Sequence, residues 1–123
     1  MAFTYAVRLD ALRVVANGAI SANYAAFGAT FSHRMRMVKI TNNTNGDMFI
    51  GFNSTPATAP LSDGAHDNDF VPAGGFVLYD FTSNSESSGS PFVFENGTQA
   101  WVRQSTAPTT GSIYLTCIFG KGE

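Results

Sequence analysis

A thiol and an imidazole together can make a nucleophile and its base, and this 123-residue chain holds one cysteine, Cys117, and two histidines, His33 and His66. The thiolate attacks and the imidazole takes its proton, provided the two meet in a cleft. The residues two positions either side of Cys117 are Leu115 and Phe119. Period-2 spacing therefore puts the sulfur on the apolar face of a strand, which reads as a buried structural thiol. The motifs G-x-S-x-G, G-x-G-x-x-G, the P-loop and H-E-x-x-H are all absent. The expectation is a non-enzymatic protein with no catalytic residues and no cofactor.

Two other groups of residues have binding chemistry. Asp63-Gly64-Ala65-His66-Asp67-Asn68-Asp69 gathers hard oxygen donors of the kind Ca²⁺ takes. Its spacing departs from the EF-hand pattern, and Asp-Gly and Asn-Asp are ordinary turn formers, so it is expected to hold no metal. Trp101 is the one tryptophan. It alternates with Ala100 and Val102 and shares its phase with Arg103, which places it on the more polar face of a strand. An exposed indole there, joined by Tyr79 and Tyr114, would suit stacking on a sugar; a lone tryptophan more often packs against a neighbouring element or subunit.

The elements that position these groups are strands. Arg34 to Ser54 has β-favouring runs on both sides of Asn45-Gly46, a dipeptide suited to a type I′ hairpin turn. Met48, Ile50 and Phe52 alternate with Phe49 and Gly51, while Val38 and Ile40 oppose Met35 and Met37. The first arm is thus buried on both sides or bulged. Phe76 to Phe81 sets Phe76 and Leu78 against Val77, Tyr79 and Phe81. Ser112 to Phe119 sets Ile113, Leu115, Cys117 and Phe119 inward. Ala16 to Ala29, with Gly18 and Gly28, reads as a strand. The stretch before it reads as an N-terminal arm or edge strand over residues 1–17. Phe70-Val71, Phe92 to Phe94 and Gln99 to Arg103 add short strands, while Pro72 to Gly75 and Asn96-Gly97 make turns, and Ser54 to Asn68, Ser83 to Pro91 and Ser105 to Gly111 make loops. Seven to eight short strands without a helix predict an all-β fold. The predicted form is a single antiparallel β-sandwich over residues 1–123, jelly-roll-like, with an extended N-terminal arm.

Composition narrows the function classes. Hydrophobic residues make up 44% of the chain, enough for a core, and charged residues only 13%, against ~25% in an average domain. Few charges mean weak repulsion between copies, which fits a chain that works against others like itself. A net charge of −2 leaves no basic field to displace counterions, so nucleic acid is not expected as a direct partner. No apolar run approaches the ~18 residues of a membrane span, and the first residues carry no signal-peptide pattern. The expectation is a soluble chain made in a reducing cytoplasm. The charge is also unevenly spread: Arg8, Arg13, Arg34, Arg36 and Lys39 lie early, whereas Asp47 to Glu95 holds seven carboxylates and no Lys or Arg.

Several stretches resemble small, β-rich virion proteins of tailed bacteriophages, mostly the short-tailed type. They are Gly18-Ala19-Ile20-Ser21-Ala22-Asn23-Tyr24 with Gly28, Lys39-Ile40-Thr41-Asn42-Asn43-Thr44, Val71-Pro72-Ala73-Gly74-Gly75-Phe76-Val77-Leu78-Tyr79-Asp80, Gly97-Thr98-Gln99, and Gly111-Ser112-Ile113-Tyr114-Leu115. Together they span most of the chain from residue 18 onward, in the order of the strand map. The segment Asn53 to Asp69 departs from the resemblance, being longer than the compact turn expected there. The resemblance implies a structural role in the virion: decorating or cementing the capsid shell, or forming part of a head–tail collar or ring. Its implied partners are the major capsid protein, or portal and tail components, and further copies of itself in a homo-oligomer. Arg8, Arg13, Arg34 and Arg36 are the candidates to meet Asp67, Asp69 and Glu95 of a neighbouring copy, with Trp101 as a further interface candidate. A lectin-like module of a host-recognition fibre is the alternative.

Overall fold

A computed structural model describes residues 7–53, 58–61, 69–81 and 94–120. Among these residues nine strands form: β1 Val7–Leu9, β2 Arg13–Ala16, β3 Ala25–Ala26, β4 Met37–Thr44, β5 Met48–Asn53, β6 Asp69–Val71, β7 Phe76–Asp80, β8 Gln99–Gln104 and β9 Gly111–Gly120. The only helical turn among them is a short 3-10 turn, Asn17–Ala19.

All pairings are antiparallel and divide into two sheets. One runs β1-β9-β4-β7, with β2 also on β9; the other runs β3-β8-β5-β6. Strands β1 and β2 lie end to end along one edge of β9, β1 opposite Ile118 to Gly120 and β2 opposite Ser112 to Leu115. With β1 set aside, the orders 2-9-4-7 and 3-8-5-6 are those of a jelly roll, in which the chain alternates between sheets at nearly every connection. The expected all-β sandwich is therefore present, with nine described strands in place of seven or eight. The surplus arises at the N-terminus, where Asp10 to Leu12 interrupts an edge strand into two.

Alternation decides what faces inward. Along β9, Ile113, Leu115, Cys117 and Phe119 are buried and the residues between them are half-covered. Along β4, Val38, Ile40, Asn42 and Thr44 point to the core, and along β5 Met48 and Ile50 do. Phe27, Phe31, Met35, Val71 and Val102 complete one continuous apolar layer between the sheets. Each such large side chain contributes about 1.5–3 kcal/mol by leaving water. Met35 is buried despite sharing its phase with Met37, because the chain bends at Arg36: Met35 bridges to Phe94 before β4 begins.

Two local expectations are corrected. Arg34 to Ser54 is not a hairpin, since β4 pairs with β7 and β9 while β5 pairs with β6 and β8. Asn45-Gly46 carries the chain from one sheet to the other, and neither residue has positive φ. Side chains shape this crossover in place of a type I′ turn. The Asn42 amide donates to Gly46 O (2.8 Å), and Thr44 Oγ1 donates to Asn42 Oδ1 (2.6 Å) and accepts from Gly46 N (3.2 Å). Asn45 Oδ1 accepts the Thr109 and Thr110 amides, and a Cβ at Gly46 would strike the Thr106 carbonyl. Ala16 to Ala29 is likewise not one strand; Ala16 ends β2 on β9, and beyond it only Ala25–Ala26 pairs, with β8. Its buried side chains, Ile20, Tyr24 and Phe27, stand at i, i+4 and i+7, a helix-like spacing, yet the segment forms only the 3-10 turn Asn17–Ala19 and the two-residue strand β3.

Candidate interaction surface

The outward phases of the two sheets differ in character. On the five-stranded sheet, register sets Phe76, Thr41, Tyr114 and Val14 in one row across β7, β4, β9 and β2. Leu78, Lys39 and Thr116 form the next row, and Asp80, Met37, Ile118 and Leu9 the third, reaching β1. Large apolar side chains stand open to water here: Leu9 is 70% exposed, Phe76 64%, Val14 50% and Leu78 45%. Lys39 and Asp80 are the charged side chains of this face among the described residues. The Lys39 ammonium lies 5.2 Å from the centre of the Phe76 ring, a cation–π contact over an otherwise unprotected aromatic. Soluble monomers seldom leave contiguous apolar patches beyond a few hundred Å², and larger ones mark interaction sites.

The outer face of the four-stranded sheet is built of rings around one arginine. The Arg103 guanidinium sits 4.4 Å from the Phe49 ring centre and 5.7 Å from that of Tyr24, and Phe49 meets Phe70 edge-to-face at 5.6 Å. Trp101 shares this face, as its phase requires, but is only 8% exposed. Its direct cross-strand neighbours are Ala26 and Gly51, which leave room for the indole to lie down, and its Nε1 donates to Asn53 Oδ1 at 2.7 Å. The indole thus packs against its own chain, as a lone tryptophan more often does, and leaves no open stacking platform at Trp101.

The charged candidates are distributed as follows. Arg8 is exposed on β1. Arg13 turns its guanidinium into its own chain. Its Nε donates to Ala29 O (3.1 Å), its Nη2 to Thr30 O (3.4 Å) and Asp10 Oδ2 (3.3 Å), and its carbon lies 5.3 Å from the Phe31 ring centre. Gly28, at φ +76°, comes so close that an added Cβ would stand 2.7 Å from Arg13 Cγ. Arg34 and Glu95, proposed from sequence to meet across copies, make an ion pair within one chain at 3.7 Å. Arg36 sits half-buried at the bend before β4, its N–H donating to Ile118 O and its carbonyl accepting from Phe81 N. Asp69 accepts the Tyr79 hydroxyl between the sheets, and burial with that bond raises the phenol well above its ordinary value. Asp67, like His66 and the rest of 62–68, lies outside the described residues. So do residues 82–93, which hold the loop and most of the strand expected there, and residues 1–6 of the arm.

Cys117 is fully buried, and burial pushes its thiol up to about 11, against the opposing pull of nearby Arg13. Its Sγ accepts from Arg13 Nη1 at 3.5 Å, while His33 stacks flat on Phe119 at 3.8 Å. Among the described residues no group of three or more His, Cys, Asp or Glu could hold a metal ion, and no helix is long and apolar enough to cross a membrane.

Sequence reading passed over Val14, Lys39, Phe76 and Leu78 as surface residues. One signal for them existed: β7 is apolar in both phases, as a strand covered on both sides would be. No family model, curated protein or solved structure matches this chain.

Proposed function

We propose that this chain is a non-enzymatic assembly protein of a bacteriophage virion, binding in many copies to the capsid shell or to a ring at the head–tail junction. The observation that carries the reading is the open apolar face of the five-stranded sheet, with Phe76 and Leu78 on its edge strand. An exposed surface of that kind is stable in water only at a cost and gains when a partner covers it. The jelly roll recurs in capsid proteins and lectins, an analogy of fold that raises this reading and the sugar-binding one alike. Between them, the burial of Trp101 favours assembly, since its ring offers no open surface to a sugar.

Particles lacking this protein, mixed with the purified chain and then sedimented, test the reading. Saturable binding with a fixed number of copies per particle is the expected result. Recognition of a defined sugar on a glycan array, with no binding to any virion component, would replace it with the lectin reading.

A further inference from the structure

We infer that Asn17 is a site of spontaneous covalent modification. Its side-chain amide closes onto the Gly18 nitrogen and is converted to aspartate and isoaspartate in the folded protein, while the other Asn-Gly pairs of the chain are protected.

The chain holds three such pairs, Asn17-Gly18, Asn45-Gly46 and Asn96-Gly97. Asparagine is thermolabile, and a following glycine puts no side chain beside the attacking nitrogen and leaves the backbone free to turn. The glycine amide nitrogen gives its proton to hydroxide and attacks Asn Cγ. The Cγ–Nδ2 bond breaks, ammonia leaves, and a cyclic succinimide remains. Water opens that ring at either carbonyl, giving aspartate, or isoaspartate in which the main chain runs through the former side chain. One water is consumed and one ammonia released, with no change of oxidation state.

Whether a pair reacts depends on what holds its two reacting groups. At Asn45-Gly46 both are held. Asn45 Nδ2 donates to Thr109 Oγ1 (2.7 Å), and its Oδ1 accepts from Thr109 N (2.8 Å) and Thr110 N (3.2 Å). The N–H of the buried Gly46 donates to Thr44 Oγ1 at 3.2 Å. At Asn96-Gly97 the nucleophile is held. Gly97 N donates to Phe31 O at 2.7 Å with Gly97 at φ +93°, and Thr98 closes the turn on Glu95 O through its N (3.1 Å) and its Oγ1 (2.7 Å).

Asn17-Gly18 is far less restrained. Both residues lie in the 3-10 turn Asn17–Ala19, which has no side-chain cap and is too short to be stable by itself. Gly18 is exposed, a Cβ there would meet nothing within 4 Å, and its N–H finds no acceptor among the described residues. Two bonds oppose the rotation that brings Gly18 N onto Asn17 Cγ. Ile20 N donates to Asn17 O at 3.2 Å, and Asn17 Nδ2 donates to Gly111 O at 3.0 Å on the exposed surface. The first is long and the second is open to replacement by water, so this turn opens locally more often than the other two.

The reaction removes the donor from Gly111 O, sets a carboxylate in its place and adds one negative charge to the net −2. The lost bond ties the turn after β2 to the start of β9, so the modified chain is looser at that corner of the five-stranded sheet.

Peptide mapping by mass spectrometry of the full chain, held at pH ~8.5 and ~37 °C with a parallel sample in urea, tests this. In the native protein the Asn17 peptide is expected to convert at least about tenfold faster than those of Asn45 and Asn96, giving both acid products. In urea the three rates should converge to within about threefold, since the protection of Asn45 and Asn96 belongs to the fold. Gly18→Ala, for which the open space leaves room, should slow conversion at Asn17 by about tenfold or more. An Asn17 that stays intact in the native protein overturns the inference. So does conversion of Asn45 or Asn96 at the rate of Asn17, or a Gly18→Ala chain that reacts as fast as wild type.

Discussion

Arg34 Nε lies 3.7 Å from Glu95 Oε2 of its own chain, on a surface where both side chains are open to water. The basic early segment and the acidic middle of the chain thus find each other within one molecule. An exposed pair of this kind contributes about 0.2–1 kcal/mol. Replacing Arg34 or Glu95 by Ala should change the urea midpoint slightly. A double-mutant cycle should give a coupling under about 1 kcal/mol that shrinks further with added salt.

Arg13 belongs to a different class, being a stability residue. Its guanidinium satisfies the Ala29 and Thr30 carbonyls and covers Phe31. Arg13→Ala hands those exposed acceptors to water and removes the packed stem over Phe31, at an expected cost of about 1–2 kcal/mol. Arg13→Lys should recover little, since one ammonium cannot serve acceptors arranged around a planar fork. Urea denaturation reads both.

Gly28 is coupled to Arg13 by contact. Gly28→Ala meets both a positive φ and the Arg13 stem, and should cost about 1–3 kcal/mol. In the Arg13→Ala background the Cγ and Cδ contacts vanish, while the Cβ contact at 3.0 Å and the backbone part remain. The two changes together should therefore be less damaging than their sum, which equilibrium unfolding of the four variants measures.

Asn42 holds the crossover between the sheets. Fully buried, it donates to Gly46 O (2.8 Å) and Val71 O (3.1 Å) and accepts from Thr44 N (3.1 Å) and Thr44 Oγ1 (2.6 Å). Asn42→Leu, close in volume but without donors, should destabilise by about 2–4 kcal/mol, because it strands carbonyls that water cannot reach. The loss would appear as a lower thermal midpoint with unchanged strand content.

Alkaline pH should weaken the fold through Cys117. Its folded thiol keeps its proton up to about 11, whereas an ordinary thiol gives it up near 9. The folded state therefore binds the proton more tightly than the unfolded chain. The associated stability is complete below pH 9, falls as pH rises from 9 to 11, and does not return above that. Comparing urea midpoints at pH 8 and pH 10.5 should show a loss of order 1–2 kcal/mol from Cys117 in wild type, with the raised Tyr79 phenol adding to the total. That component should be missing from Cys117→Ala, and disulfide-exchange reagents should leave the native thiol unmodified at pH 8.

The strands with one apolar phase were legible from sequence. In β9, Ile113, Leu115, Cys117 and Phe119 gave both the inward face and the structural thiol, and β5 gave Met48 and Ile50. Partner choice was not legible. Asn45-Gly46 looked like a hairpin because turn preference is local, whereas the sheet each flanking strand joins is set by residues far along the chain: β7 and β9 for β4, β6 and β8 for β5. The exposed face was hidden for a related reason. Phe76 and Leu78 share a strand with the inward Val77 and Tyr79, and an apolar side chain carries no mark that says whether core or solvent lies beyond it. Trp101 shows the converse, since the face was right and its cover, beside Gly51 and bonded to Asn53, was invisible.

The central claim is that the outer face of the five-stranded sheet does the work of this protein. The most direct test is particle binding by Phe76→Ser/Leu78→Ser, measured beside Phe70→Ser on the opposite sheet as a control. All three positions are already exposed, so these changes should leave stability within about 0.5 kcal/mol per site. The account predicts that the double variant folds normally and loses binding by about a hundredfold, while Phe70→Ser binds as wild type does. A folded Phe76→Ser/Leu78→Ser protein that binds particles undiminished would contradict it.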